Sequence, residues 1–185
     1  MAVNVDLIRA YTDGLVATTA YGDTSVTLPT NGTGSLSADF FEVGSISDNG
    51  ITEATSQDRT DIFIWQGAAL ARRIPGKYTK TFKFAAAEQT LLNLGIQFPG
   101  SAVTQTAEGA TVAEAPPSTD IRAWVLHGID GARKQRIVVP QGEVTERGDV
   151  VWSSGDITVY DWTLSAYTSG GIACYRYYVD TTLAL

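Results

Sequence analysis

The chain has one histidine and one cysteine, His127 and Cys174, the side chains best suited to nucleophilic or general-base work near neutral pH. A thiol nucleophile needs its base within hydrogen-bond reach, and both residues fall in strand-like stretches rather than in exposed turns. Cys174, between Ala173 and Tyr175, therefore reads as a small apolar side chain, and His127 as a structural or exposed histidine beside a turn. Glu143 and Glu146 pair two carboxylates, but a glycosidase needs a cleft between its acid and base, and Gly142 and Gly148 around this pair suggest a turn with solvated charges. Gly128-Ile129-Asp130-Gly131 has the spacing of a backbone-clamping nucleic-acid loop, yet it also has the form of a hairpin turn. No paired His or Cys offers metal-ligand spacing, and a lone cysteine closes no disulfide within the chain. The expectation is a protein with no catalytic set, no metal and no cofactor.

Charge narrows the partners. A formal net charge of −7 opposes a phosphate-gripping surface, because nucleic-acid binding needs clustered Lys and Arg to displace counterions. An acidic surface would instead repel DNA and let it slide past without sticking. The first twenty residues carry Asp6, Arg9 and Asp13 and lack a charged segment followed by an apolar one, and no stretch approaches a membrane span. The expectation is a soluble, unexported protein that folds in the cytoplasm. The 185 residues suffice for one domain that buries roughly 70% of its unfolded surface.

The elements that must carry these residues are mostly strands. A short strand is expected near residues 10–18, followed by an extended arm at 20–38 rich in small and turn-forming residues. Asn49-Gly50 marks a turn, and Ile62-Phe63-Ile64-Trp65 predicts a strand ended by Gly67. Residues 78–84 alternate, with Tyr78, Lys80, Phe82 and Phe84 on one face. Burying Phe82 and Phe84 is worth about 1.5–3 kcal/mol each, enough to fix that register. Residues 85–94 predict the one helix, with its leucines against a sheet and Gly95 just past its end. Residues 101–119, with Pro116-Pro117, read as a long exposed loop. Asp130-Gly131 joins residues 122–127 to 133–139 as a hairpin, the strongest such signal in the chain. Further strands are expected at 144–152, at 158–167 with Tyr160, Trp162, Leu164 and Ala166 on one face, and at 174–179 after Ser169-Gly170-Gly171. The fold class expected is mainly β with one short helix.

The order of these features resembles the major tail protein (tail tube) family of siphophages, especially those of actinobacteriophages. Carrying the resemblance are Tyr11-Thr12-Asp13-Gly14 leading to Leu28-Pro29-Thr30, and residues 43–53 with Gly44-Ser45-Ile46-Ser47-Asp48-Asn49-Gly50-Ile51-Thr52-Glu53. Ile64-Trp65-Gln66-Gly67 and Arg72 follow, then Lys80-Thr81-Phe82-Lys83-Phe84 with Glu88-Gln89-Thr90, where the family has an acidic-Thr-Asn triplet. The C-terminal block is Arg136-Ile137-Val138-Val139-Pro140, Gly142-Glu143-Val144-Thr145-Glu146, Gly148-Asp149 and Thr163-Leu164-Ser165-Ala166-Tyr167.

The resemblance implies one tail tube domain over residues 1–185: a β-sandwich with a flanking helix, an N-terminal strand and arm at 1–38, a long loop region at 44–75 and the exposed loop at 101–119. It implies hexameric rings stacked around a tape measure protein, with a tail terminator and a baseplate or distal tail initiator as further partners. DNA would pass through the lumen without specific binding, in a virion tail assembled in the host bacterial cytoplasm. By resemblance, Ile51, Glu53, Trp65 and Arg72 are candidate contacts between rings or subunits, although an aromatic such as Trp65 is expected in a core first. Asp161, Thr163 and Ser165 would form a polar strand face on the lumen or on the outside. A non-catalytic β-sandwich binding a carbohydrate or surface ligand is the alternative, with Tyr175, Tyr177 and Tyr178 as its aromatic platform.

Overall fold

The computed structural model describes residues 7–180 and Leu183; the first six residues of the expected arm lie outside that set. In chain order the elements are β1 (Asp13–Thr18), β2 (Phe41–Glu42), β3 (Thr52–Phe63), β4 (Leu70–Ala86), α1 (Leu91–Gln97), β5 (Ala102–Thr106), β6 (Gly109–Ala113), β7 (Ile121–Asp130), β8 (Arg133–Arg147), β9 (Tyr160–Ala166) and β10 (Tyr175–Val179). The protein is a mainly-β sandwich with one helix.

One antiparallel sheet, ordered β2-β1-β7-β8-β9-β4-β3, folds over on itself, and β10 pairs with β8 outside that path. The long strand β8 makes this possible. Its first half runs between β7 and β10, its second half between β7 and β9, so it belongs to both layers. An extra residue at Pro140-Gln141 opposite Ala123 breaks the β7–β8 ladder, and a second irregularity lies at Thr145. Proline donates no ladder hydrogen bond, which suits it to a bulge, and bulges add twist and bend. Gly142 follows the first bulge because nothing larger fits: a Cβ there would stand 2.9 Å from both Trp124 and Leu164.

The two layers enclose Phe82, Phe84 and Ala86 of β4, Trp162 and Leu164 of β9, and Trp124 and Leu126 of β7. Phe84 packs edge-on against Trp162 at 6.0 Å, and Tyr160 stacks on Trp162. The alternation in residues 78–84 and 160–166 reads true, with Lys83 left in water. A second cluster lies on the other side of β1, β7 and β8. There Ala17, Ala123, Val125 and Val138 meet Val26, Leu28 and Leu36 of the arm. The arm is thus a cover rather than a free extension, and Arg136 holds it by donating to the carbonyls of Asn31 (3.0 Å) and Gly34 (2.8 Å).

Four expectations are corrected. The helix begins at Leu91, because Ala85 and Ala86 extend β4 opposite Asp161 and Tyr160 and Thr90 provides the N-cap, accepting from the Asn93 amide at 3.1 Å. Gly95 therefore lies inside the helix, and Asn93, fully buried, donates to the carbonyls of Val43 and Glu88. Residues 148–152 form no strand: β8 stops at Arg147, and Trp152 is 86% exposed. The segments read as loops at 44–75 and 101–119 carry paired strands, β3 with β4 and β5 with β6. Small and threonine-rich stretches lacking bulky residues satisfy their backbone by pairing even where no core forms. The Asp130-Gly131 hairpin and the turn at Ser169-Gly170-Gly171 stand as expected.

Candidate functional site

The largest departure from a closed sandwich is the β3–β4 hairpin. Along β4, residues 80–86 pair with β9 on one edge, whereas residues 70–79 pair only with β3. At about 3.3 Å per residue, that stretch projects roughly 30 Å beyond the sandwich. Every residue from 52 to 79 is exposed. At the base Lys80 and Phe82 share a face with Tyr78, which pairs with Gln57; the register shifts at Gly76-Lys77, and beyond it Ile74 and Arg72 lie on one face with Thr60 and Ile62. Beyond it the chain turns through Phe63, Ile64 and Trp65, with Gly67 at φ 73°. Trp65 is 96% exposed, and Phe63, Ile64 and Leu70 are exposed beside it. The opposite face holds Arg59, Asp61 and Arg73, and Arg73 forks onto Asp61 at 2.6 and 2.9 Å.

The candidate contact residues divide between the two ends of this hairpin. Trp65, expected in the core, stands in water at the tip, because the strand ends at Phe63 and a short 3-10 turn follows. Arg72 lies near it, opposite Ile62. Ile51 and Glu53 are at the base, where Ile51 packs on the main core. Glu53 bonds with both Lys80 and Arg176, tying β3 to β4 and β10. Burial pushes the Glu53 carboxyl up, and the Arg176 and Lys80 cations outweigh it and hold the group below its ordinary range.

Asp161, Thr163 and Ser165 share one face of β9, beside Lys83 and Thr81 of β4. Asp161 is exposed and Ser165 half-buried, whereas Thr163 is buried. The Ser165 hydroxyl lies 2.7 Å from that of Thr145. This polar face belongs to the layer opposite the arm.

The residues with chemical potential are dispersed. Glu143 and Glu146 are in β8 rather than in a turn, and the Tyr167 hydroxyl donates to Glu143, which pushes that phenol up to about 12. His127 is 6% exposed on the arm-covered side, opposite Arg136, and burial followed by the charges of Arg136 and Lys134 pulls its pKa down. Cys174 is half-buried against the main core. Tyr175 and Tyr177 face one way along β10 and Tyr178 the other, and Tyr177 packs under the arm, so the three build no platform. Among the described residues no three His, Cys, Asp or Glu converge on a metal position, and no helix is long and apolar enough to cross a membrane.

Sequence reasoning missed the apolar set at the hairpin tip beyond Trp65. The signal was present: Gly67 between Phe63 and Leu70 leaves a turn-length gap between two strand-forming runs. It also missed the exposed trio Val151, Trp152 and Ile157 in the loop before β9, and the buried pair Arg122–Asp120 at 2.8 Å. A large cleft, about 720 Å³, opens where residues 42–53 pass in front of β1 and β7. No curated protein matches the chain. A family model described as phage tail tube protein matches residues 1–184.

Proposed function

The chain belongs to the phage tail tube protein family, and from that premise we propose that it is the major tail tube subunit of a siphophage, polymerising as stacked hexameric rings around a tape measure protein. The family is structural, its members are virion tail components that self-assemble into a tube, and catalysis is not its general business. The observation that carries the reading is the hairpin. A two-stranded ribbon alone in water is marginal, and an apolar tip that size on a free surface marks a contact with another chain. Strand β3 is also a sheet edge of twelve residues with no partner on its far side among the described residues, open to pairing with a neighbouring copy.

On this reading, Trp65 and Arg72 make contacts between rings, and Ile51 and Glu53 brace the hairpin that carries them. The uncovered face with Asp161 and Ser165 lines the lumen, where a net acidic wall lets DNA pass without binding it. A terminator at the head end and an initiator at the baseplate end cap the polymer, and assembly takes place in the host bacterial cytoplasm.

The test is negative-stain electron microscopy of the concentrated protein, with size-exclusion chromatography alongside. Tubes or stacked rings with a central channel are expected. A monomer that stays monomeric even when seeded with tail tips that carry the initiator would overturn the proposal.

A further inference from the structure

The cleft in front of β1 and β7 has an apolar floor and an acidic lining. Val16, Phe82, Leu126 and Ile137 come from the core beneath it. Asp13, Glu42, Asp48, Glu53 and Glu88 line it, and no lysine or arginine does. Two of the five are already engaged, Glu53 by Lys80 and Arg176 and Glu88 by the amide and hydroxyl of Ser45. Asp13 accepts only the neighbouring Gly14 amide, and Glu42 and Asp48 make no ion pair among the described residues. In the cleft wall, Ser47 Oγ is buried without a hydrogen-bond partner.

The hairpin has the complementary character. Residues 52–86 hold six of the thirteen basic side chains against three of the twenty acidic ones, so the rest of the chain is left with seven against seventeen. Arg72, opposite Ile62, stands beside the exposed Phe63, Ile64 and Trp65, and Arg59 and Lys77 follow farther back along the two strands; none of the three makes an ion pair among the described residues. A cleft of this volume is in the range that encloses ligand-sized groups, and it has room for an indole with its neighbours. The tip cannot fill the cleft of its own chain. Ile51 and Glu53 line the cleft at the hairpin's base, and the tip stands roughly 30 Å away along two paired strands.

We infer that the acidic cleft is the receptor for the basic, aromatic hairpin tip of a second copy, the two forming a head-to-tail contact whose faces differ on each partner. The inference rests on the tube-subunit reading and names the surface that receives the hairpin. Such a heterologous contact propagates, because each copy keeps a free tip at one end and a free cleft at the other. Exposed carboxylates around an apolar floor steer the cations and exclude like-charged surfaces, while the aromatic tip supplies the buried area.

Two variants of the full chain test it. The tip variant carries Trp65→Ser and Arg72→Glu, and the cleft variant carries Glu42→Lys and Asp48→Lys. All four side chains are exposed and none makes an ion pair among the described residues, so both variants are expected to fold as the parent does, a point circular dichroism checks. Neither should extend into tubes alone, since each lacks one half of the contact. Mixed, they are expected to associate in a 1:1 ratio by analytical ultracentrifugation, with affinity falling roughly tenfold or more between low and physiological-plus salt. If the parent forms tubes and the two variants do not bind each other, the cleft is wrong and the tube reading survives. If either variant alone still extends into tubes, the cleft assignment also fails. A parent that stays monomeric together with unreactive variants overturns both readings.

Discussion

At the scale of single residues, two buried charges set the sharpest expectations. Arg122 donates to Asp120 at 2.8 Å and to the Thr19 carbonyl at 3.0 Å, and Asp120 accepts the Gly22 amide at 3.0 Å, so this pair stitches the start of the arm to β7. Both side chains are nearly inaccessible. Arg122→Ala leaves a carboxylate buried without its cation and is expected to cost about 3–5 kcal/mol in urea unfolding, with the double change Asp120→Asn, Arg122→Ala costing less than that. His127 gives a pH signature that no other histidine can confuse, because the chain has only one. Burial and the nearby Arg136 and Lys134 lower its pKa, so the folded chain holds it neutral while the unfolded chain takes up a proton near pH 6.5. Stability from this group is therefore full above about pH 7 and falls as the pH drops below the unfolded value. Urea midpoints measured from pH 8 to pH 5.5 should decline, and His127→Gln should flatten that part of the curve.

The element scale separates what holds the subunit together from what joins it to others. Trp65 touches nothing that folds the chain, so Trp65→Ser is expected to shift unfolding by less than about 0.5 kcal/mol while abolishing tubes by electron microscopy. The polar face of β9 gives a second expectation. With Asp161 replaced by Cys and Cys174 by Ser, a small maleimide should label assembled tubes from the inside as readily as free subunits, whereas the same reagent on a bulky carrier should label only free subunits. These assignments show which parts of the structure could be read from the residues. The alternations at 78–84 and 160–166 and the Asp130-Gly131 turn were legible, because period two and a positive φ are local properties. The helix start was not, since Ala85 and Ala86 are good helix formers taken by the ladder with Asp161 and Tyr160, a partnership distant in sequence. Trp65 was misplaced for a related reason. A run of β-branched and aromatic residues reads as core until it is known that nothing in the same chain covers it. The acidic cleft was invisible because its lining is drawn from segments far apart in the chain.

For the whole molecule, the distribution of charge matters more than its total. A chain of net charge −7 with an excess of basic residues in one projecting hairpin is polar end to end, and repulsion between acidic bodies keeps free subunits apart until a tip meets a cleft in the right orientation. The arm, clamped by Arg136 and packed on Val125 and Val138, closes one sheet face, so growth is directed to the hairpin, the cleft and the open edges. The hairpin is then also a ruler. With its base beside one cleft and its tip in the next, the number of residues in β3 and β4 sets the distance between successive layers of the polymer. Removing two residues from each strand keeps every remaining side chain on its own face, because the period is two, and shortens the projection by about 7 Å. Power spectra of tubes built from that variant should show the layer spacing contracted by a similar amount; an unchanged spacing would mean that the hairpin lies across the axis, and that the periodicity of the tail is set by the bodies of the subunits instead.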